Sequence, residues 1–315
     1  MAEPELLVEV AGGVGRLVLN RPRALNALTA GMIAGIHSAL NAWRVDDAVA
    51  SVELTGAGER GLCAGADVRA LRTAIAAGEP WLDFLAAEYA LNAAIAAFPK
   101  PYVAHQRGYT MGGGLGVSAH GSHRIAYPDS AFAMPETMIG FVPDVGVSWY
   151  LAHAPGELGT HLALTGATVN ATDAVLVGLS DEVAGEAPAS ELERDRAWID
   201  SCYATDDPAE VVGRLEEHSD PRARAAASDL RRRCPLAVAV ALEAVRRVRR
   251  MAGLAEVLAQ DLVLARNLLG RPDFAEGVRA QLVDKDRNPR WQHARLEDVT
   301  RAEVLAAFAG LAQTV

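Results

Sequence analysis

The chain has 315 residues, half of them hydrophobic, and a formal net charge of −10 at pH 7. This length suits one large α/β domain with an appendage. The acidic balance argues against nucleic acid as the main partner, because phosphate backbones repel an acidic surface. The three cysteines, Cys63, Cys202 and Cys234, are widely spaced and indicate neither a disulfide framework nor a zinc site.

The N-terminal segment MAEPELLVEV contains acidic residues and lacks the basic start of a signal peptide. No uncharged apolar run approaches the roughly 20 residues that are needed to span a bilayer. We therefore expect a cytoplasmic protein that has no membrane partner.

Strands and helices alternate over the first part of the chain, which predicts βα layering. Apolar alternation and Gly-rich turns mark the strands, and apolar residues at helical spacing mark the helices. The predicted elements are a hairpin over 5–20, a helix over 29–45 with Thr29 as its N-cap, a strand over 50–56, a helix over 81–98, a strand over 101–108, and short strands at 123–127 and 131–134.

After about residue 186 the sequence becomes rich in Ala, Arg, Glu and Leu, and it predicts helices only. The stretch 234–283 indicates two or three amphipathic helices. Its basic run RRVRR, residues 246–250, is typical of a solvated helix face. Helix breaks are predicted at Pro208, Pro221, Pro235 and Pro272.

Two Gly-rich turns, GLCAGADVRAL (61–71) and YTMGGGLG (109–116), each link a strand to a helix. Such a turn exposes backbone N–H groups that can cradle a phosphate or hold an oxyanion. The second turn is not a Walker loop, because no Gly-Lys-Ser/Thr follows it. It is not the dinucleotide fingerprint either, because Val117 stands where the third glycine would fall. Tight helix–strand packing remains the alternative.

Two acids, Glu136 and Asp144, lie in the apolar segment FAMPETMIGFVPDVG (132–146). A glycine and a proline between them prevent a single helix from presenting both, so the two converge only if the chain folds back at IGFVP. We expect Asp144 to open a helix over 144–154, whose positive end favours the ionised carboxylate. We expect the apolar setting of Glu136 to raise its pKa. Plain helix-capping and first-turn roles are the alternatives.

These motifs, taken together and in order, resemble the signatures of the crotonase (enoyl-CoA hydratase/isomerase) superfamily. The resemblance implies an α/β fold, a spiral of ββα units with a C-terminal helical region. It divides the chain into a core with an acyl-CoA site, residues 1–186, and a helical region, residues 187–315. The matching segments are 20–29, 61–71, 101–116 and 132–146.

The resemblance also implies an acyl-CoA thioester as the substrate, with its carbonyl held by the backbone N–H groups of Ala66 and Gly113. Leu25, Ala64 and Ala66 would line coenzyme A, which belongs to the substrate. The resemblance implies no metal and no other cofactor. A homo-oligomer, the trimer of the superfamily or a smaller assembly, is expected.

Hydratases of this superfamily place a catalytic glutamate two residues after the glycine triplet, where this chain has Gly116. Asp144 instead stands where hydratases carry a glycine. This pattern resembles the 3-hydroxyisobutyryl-CoA hydrolases, thioesterases of valine breakdown. By that resemblance, Glu136 and Asp144 are the catalytic acids, and the substrate contacts are Glu88, Gly113, Glu136 and Asp144.

Several alternatives stay open at this stage. Glu136 either activates water or attacks the thioester directly. The alternatives to a hydrolase are a hydratase or isomerase on the same fold and a non-catalytic acyl-CoA-binding protein. For Glu88, the alternative to a substrate contact is a surface position on an amphipathic helix. Cys63 is expected in the core rather than as a nucleophile, and His120 and His123 lack the acidic or Cys neighbours of a metal site.

Overall fold

The computed structural model describes residues 3–311, and contacts divide the chain into two compact units that interleave along the sequence. The first unit comprises the chain up to Asp67, Asp83–Ala133 and Thr168–Ser190; the second comprises Val68–Leu82, Met134–Ala167 and the chain from Glu191 onward. The sequence, in contrast, divides the chain once, near residue 186. That two-part division stays a prediction.

The first unit contains all the strands of the described residues. Six strands form one sheet in the order β1-β2-β3-β4-β6-β8, in which β1 and β2 are antiparallel and the remaining neighbours are parallel. Strands β5 and β7 pair in parallel as a separate ribbon. The strands are β1 (Leu6–Ala11), β2 (Val14–Leu19), β3 (Ser51–Gly56), β4 (Tyr102–Gln106), β5 (Tyr109–Met111), β6 (His123–Ala126), β7 (Ala131–Ala133) and β8 (Glu182–Val183).

Helices occupy both units, and α1, α3, α4 and α7 belong to the first. Within residues 3–311, no helix is both long and apolar enough to cross a membrane. The helices are α1 (Ala30–Trp43), α2 (Val68–Ala77), α3 (Leu82–Ala96), α4 (Gly113–Gly116), α5 (Ser148–His153), α6 (Leu158–Thr165), α7 (Ala171–Leu176), α8 (Glu191–Cys202), α9 (Pro208–Glu217), α10 (Pro221–Arg232), α11 (Pro235–Val248), α12 (Leu254–Leu268), α13 (Pro272–Val278) and α14 (Arg301–Ala306).

Local sequence signals in the first unit are confirmed. The predicted hairpin is β1 and β2, joined by a turn at residues 12–13. The N-cap of α1 is Thr29, whose Oγ1 accepts a hydrogen bond from the Met32 N–H at 3.2 Å. Apolar residues of α1 pack in one core with the inward-facing residues of the central strands, which seats the helix on the sheet. The predicted strands over 50–56 and 101–108 are β3 and β4.

The second unit is helical and is built around α11. This helix is buried over most of its length and packs against α5, α6, α9 and α14. The prolines predicted as helix breaks are the first residues of helices, where the missing N–H removes no intrahelical hydrogen bond. They are Pro208, Pro221, Pro235 and Pro272.

The prediction of a solvated face for residues 246–250 is wrong for Arg246. Its side chain is only 11% exposed and forms ion pairs of 2.8 Å with Glu157 and with Asp206. Arg249, one turn on along the chain, also pairs with Glu157, at 3.1 Å. The basic run therefore pairs with a partly buried acid and an exposed acid of the second unit, instead of only facing water.

Candidate functional site

In the first unit, hydrogen bonds join the two Gly-rich turns. Cys63 and Thr110 form a parallel bridge. The Cys63 N–H donates to the Tyr109 carbonyl at 3.1 Å, and the Met111 N–H donates to the Cys63 carbonyl at 2.9 Å. Residues 61–66 and 109–113 therefore run side by side into the positions predicted to hold an oxyanion.

Gly113 lies against both Ala66 and Glu88. A Cβ atom at Gly113 would stand 3.2 Å from the Ala66 nitrogen and 2.5 Å from Glu88 Oε1. Only glycine leaves this space open, because any side chain would displace the carboxylate or press on the backbone nitrogen. The structure thus brings together three residues that the sequence predicts at the thioester: Ala66, Gly113 and Glu88.

The backbone geometry directs the N–H groups of Ala66 and Gly113 away from their own secondary structure. Ala66 forms a parallel bridge with Leu28. In this bridge the Leu28 N–H donates to the Gly65 carbonyl at 2.9 Å, and the Asp67 N–H donates to the Leu28 carbonyl at 3.1 Å. The Ala66 N–H therefore points to the opposite side. Gly113 is the first residue of α4, where an N–H group has no acceptor within the helix.

The predicted coenzyme A segments are also joined in the first unit. The Ala64 N–H donates to the Leu25 carbonyl at 3.0 Å. Leu25, Ala64 and Ala66 are all partly exposed. An ion pair between Arg21 and Asp67, with 3.3 Å between Nη2 and Oδ2, ties the same two segments together. Contact with coenzyme A itself stays a prediction.

Glu88 is buried on α3, with 1% of its surface exposed, so the surface alternative is wrong. Asn92 lies one turn further along the same helix and is fully buried. Its Oδ1 and Nδ2 form no hydrogen bond with the described residues. Sequence reasoning missed Asn92, although a polar residue four positions after Glu88 in an otherwise apolar helix is a signal at helical spacing.

Cys63 is a core residue, as predicted: it is fully buried, and burial raises the pKa of its thiol to about 12. A thiol with this pKa remains protonated at neutral pH and is a poor nucleophile. His123 lies at the surface, with Nε2 3.2 Å from a carboxylate oxygen of Glu182. Across residues 3–311, no group of three or more His, Cys, Asp or Glu side chains is arranged to hold a metal ion.

Glu136 and Asp144 both lie in the second unit. Glu136 begins the 3-10 helix Glu136–Ile139 and is 8% exposed. Gly140 ends this helix with a φ of +75°, and a Cβ there would stand 2.8 Å from the carbonyl oxygen of Asp273. Both the positive φ and the close approach require glycine. The helix therefore stops four residues after Glu136, and the convergence of the two acids stays a prediction.

The prediction that Asp144 opens a helix over 144–154 is wrong. Helix α5 begins at Ser148, with Val147 as its N-cap. Asp144 precedes it in a turn, in which the Val147 N–H donates to the Asp144 carbonyl at 3.0 Å. Val145, with a φ of +50°, interrupts any right-handed helix at this point. Helix α5 therefore does not begin at Asp144, and its N-cap residue is Val147 instead.

Sequence reasoning also missed Asp261, a residue of α12 that is 1% exposed. Its Oδ2 accepts a hydrogen bond from the Gly146 N–H at 2.8 Å. Burial, together with the charge of Asp144, raises the pKa of Asp261 well above its usual range. A sequence signal exists, because Asp261 stands at helical spacing from the apolar Val257 and Leu264 and so lies within the apolar stripe.

A family model described as Enoyl-CoA hydratase/isomerase matches residues 14–194 and 181–308. The chain is 35% identical to the mitochondrial 3-hydroxyisobutyryl-CoA hydrolase of Bos taurus, over 98% of this chain and 90% of that protein. It is 36% identical to the protein of the same name from Xenopus tropicalis, over 98% of this chain and 89% of that protein.

Two solved structures share the fold. A carnitinyl-CoA dehydratase from Mycobacterium thermoresistibile is 44% identical, with a TM-score of 0.94 over 98% of this chain and 97% of that chain. An enoyl-CoA hydratase from Rhodobacter sphaeroides 2.4.1 is 39% identical, with a TM-score of 0.93 over 97% of each chain. These matches confirm the predicted fold class. The chain belongs to the enoyl-CoA hydratase/isomerase family, the crotonase superfamily.

Proposed function

We propose that the protein hydrolyses acyl-CoA thioesters and that its substrate is 3-hydroxyisobutyryl-CoA, which it converts to 3-hydroxyisobutyrate and CoA in valine degradation. The observation that carries the proposal is the placement of the acids. Glu136 and Asp144 are buried in one unit, and Gly116 occupies the position of the additional hydratase glutamate. The names of the Bos taurus and Xenopus tropicalis relatives support the same substrate.

The reaction moves an acyl group from sulfur to water. In this proposal the N–H groups of Ala66 and Gly113 donate hydrogen bonds to the thioester oxygen and stabilise the negative charge that develops on it. The loss of one such donor typically costs about 3–4 kcal/mol of transition-state stabilisation. The carbon–sulfur bond then breaks, and the CoA thiol leaves with a proton.

Glu136 supplies the bond-making step by one of two routes. As a general base it takes a proton from water, whose oxygen attacks the carbonyl carbon. As a nucleophile its carboxylate displaces the thiolate and forms a mixed anhydride, which water then cleaves. Both routes require an ionised, positioned Glu136. Asp144 holds the 3-hydroxyl of the substrate or positions the water, and Glu88 contacts the substrate beside Gly113.

A hydratase is the second candidate, because the two solved structures described above are named a carnitinyl-CoA dehydratase and an enoyl-CoA hydratase. Hydration across a double bond uses two carboxylates to hold and activate one water, and Gly116 removes one of them. A non-catalytic acyl-CoA-binding protein is a third candidate. Burial of the two acids argues against it, because desolvating carboxylates is costly and brings a pure binder no benefit.

The reaction type is tested by two assays on the same preparation: free thiol release from 3-hydroxyisobutyryl-CoA and loss of the enoyl absorbance of crotonyl-CoA. Hydrolysis should exceed hydration by at least about a hundredfold in kcat/KM, since a positioned acid or base contributes about that much. A known hydratase serves as the positive control for the second assay. Hydration as fast as hydrolysis would reject the hydrolase proposal, and activity in neither assay would favour the binding protein.

The role of Asp144 is tested by Asp144→Asn on two substrates. If Asp144 grips the 3-hydroxyl, kcat/KM should fall at least about tenfold on 3-hydroxyisobutyryl-CoA and less than about threefold on isobutyryl-CoA. Only the hydroxylated substrate presents a polar group whose partner has been weakened. The plain substrate is the internal control for folding. If kcat/KM falls equally on both substrates, Asp144 does not bind the 3-hydroxyl, and its role is to position the water.

Assembly and location stay predictions. A homo-oligomer, a trimer or a smaller assembly, is proposed from the family. A cytoplasmic location is also proposed, while the curated relatives described above are named as mitochondrial. No metal or further cofactor enters the proposed reaction.

A further inference from the structure

Asp261 reaches the turn that carries Asp144 from α12, more than one hundred residues later in the chain. Its Oδ2 accepts a hydrogen bond from the Gly146 N–H at 2.8 Å. Its Oδ1 is buried and forms no hydrogen bond with the described residues. Asp261 is 1% exposed, and its one hydrogen bond comes from a backbone N–H. Burial of a carboxyl group with so few partners costs folding free energy, which indicates a specific role for this residue.

The turn that Asp261 holds is strained. Val145 is a β-branched residue in the left-handed region, with a φ of +50°, and it is only 1% exposed. Such a conformation persists only where surrounding contacts enforce it. The bond from Gly146 to Asp261 is such a contact, and it lies two residues from Asp144.

The surroundings of Asp261 favour the protonated, uncharged form of its carboxyl group. Burial favours its neutral form, and the charge of Asp144 adds to this, so its pKa lies well above the usual range. Asp144 is the charged group that acts on it. Helix α5, which packs against α12, carries Tyr150 and His153, and the exposed His153 ring bonds the Trp149 carbonyl at 2.8 Å. A neutral Asp261 holds the turn without a second negative charge beside Asp144.

We propose that Asp261 is a positioning residue that acts as an uncharged carboxylic acid: by accepting the Gly146 N–H, it fixes the turn of residues 144–146 and with it the Asp144 carboxylate. The importance of this positioning for turnover rests on the proposed thioesterase function. The hold on the turn does not depend on that function and can be measured separately.

The test compares Asp261→Asn with Asp261→Ala in the full-length protein. Asparagine is neutral and keeps an oxygen for the Gly146 N–H, so kcat should stay within about threefold of wild type. Alanine removes the acceptor, so kcat on 3-hydroxyisobutyryl-CoA should fall at least about tenfold, with KM changed less than about threefold. Hydrogen–deuterium exchange of residues 144–147 should speed up in the alanine variant and not in the asparagine variant.

Gln260→Ala is the matched control, because Gln260 is fully buried on the same helix and its side-chain amide forms no hydrogen bond with the described residues. It should leave exchange at 144–147 unchanged. If Asp261→Ala keeps the wild-type kcat and the wild-type hydrogen–deuterium exchange at residues 144–147, the proposal is overturned. If kcat falls as much in Asp261→Asn as in Asp261→Ala, the claim that Asp261 acts in its uncharged form is overturned. If the wild type releases no thiol, the proposed function fails, and the exchange result still decides the hold on the turn.

Stability against pH keeps the charge state testable even if Asp261→Ala does not fold. A raised native pKa means that the native state binds a proton that the unfolded chain releases above its ordinary value of 3.8, so wild-type stability falls as pH rises above that value. Asparagine lacks this loss. The ratio of the unfolding equilibrium constant of Asp261→Asn to that of wild type should therefore fall at least about tenfold from pH 4 to pH 7, because only wild type loses stability over that range. A constant difference over that range would overturn the neutral form.

Discussion

Glu136→Gln should lower kcat for thioester hydrolysis by about 10²–10⁴-fold and leave KM nearly unchanged. Glutamine keeps the size and hydrogen-bonding capacity of the side chain, and it removes the carboxylate that serves as base or nucleophile. Because Glu136 is 8% exposed at the start of a 3-10 helix, water has little access to replace it. Steady-state thiol release from 3-hydroxyisobutyryl-CoA measures both constants.

Glu243→Gln is a matched control for the loss of a charge in the second unit. The side chain of Glu243 is 16% exposed and pairs with Arg247 at 2.6 Å and with Arg301 at 2.7 Å. This change should affect stability more than kcat, because the pair has no part in the proposed reaction. If both variants lose activity in proportion to their stability, or if Glu136→Gln keeps the wild-type rate, Glu136 is only a first-turn acid of its helix.

Elements that local sequence determines were predictable. The α1 cap is an example, because Thr29 and Met32 are three residues apart and their hydrogen bond needs no distant partner. The β1–β2 hairpin is another, since its turn and its alternation lie within about 15 residues. In the candidate site, Ala66 and Gly113 were predicted from the resemblance of the two Gly-rich turns to the family motifs. The pairing of Cys63 with Thr110 brings these turns together, and the role of the two N–H groups as oxyanion donors stays a prediction.

Features that tertiary contacts impose were not predictable from local pattern. The segment after Asp144 has apolar residues at helical spacing, yet Val145 is left-handed and α5 starts later. The hydrogen bond between Gly146 and Asp261 spans 115 positions, and no local signal encodes it. Arg246 is similar: its run is basic and is typical of a solvated face, but its side chain forms a partly buried ion pair with Glu157, 89 positions earlier.

Gly113→Val should lower kcat by about a hundredfold or more, because it blocks the approach of the thioester oxygen to the backbone donors. Even a Cβ atom would stand 3.2 Å from the Ala66 nitrogen and 2.5 Å from Glu88 Oε1, and the two further methyl groups of valine enlarge the obstruction. Thermal unfolding and thiol release should be measured together, since a buried clash also lowers stability.

Two further variants separate obstruction from general damage. Gly31→Val, in the same unit, adds a side chain where the nearest atom stands 3.8 Å from the new Cβ, so it should retain kcat. Glu88→Ala combined with Gly113→Ala removes the carboxylate clash and leaves the methyl group beside the Ala66 nitrogen. If the donors matter, this double variant should be slower than Glu88→Ala alone. If Gly113→Val folds and turns over like the wild type, the glycine serves packing only, and the oxyanion is held elsewhere.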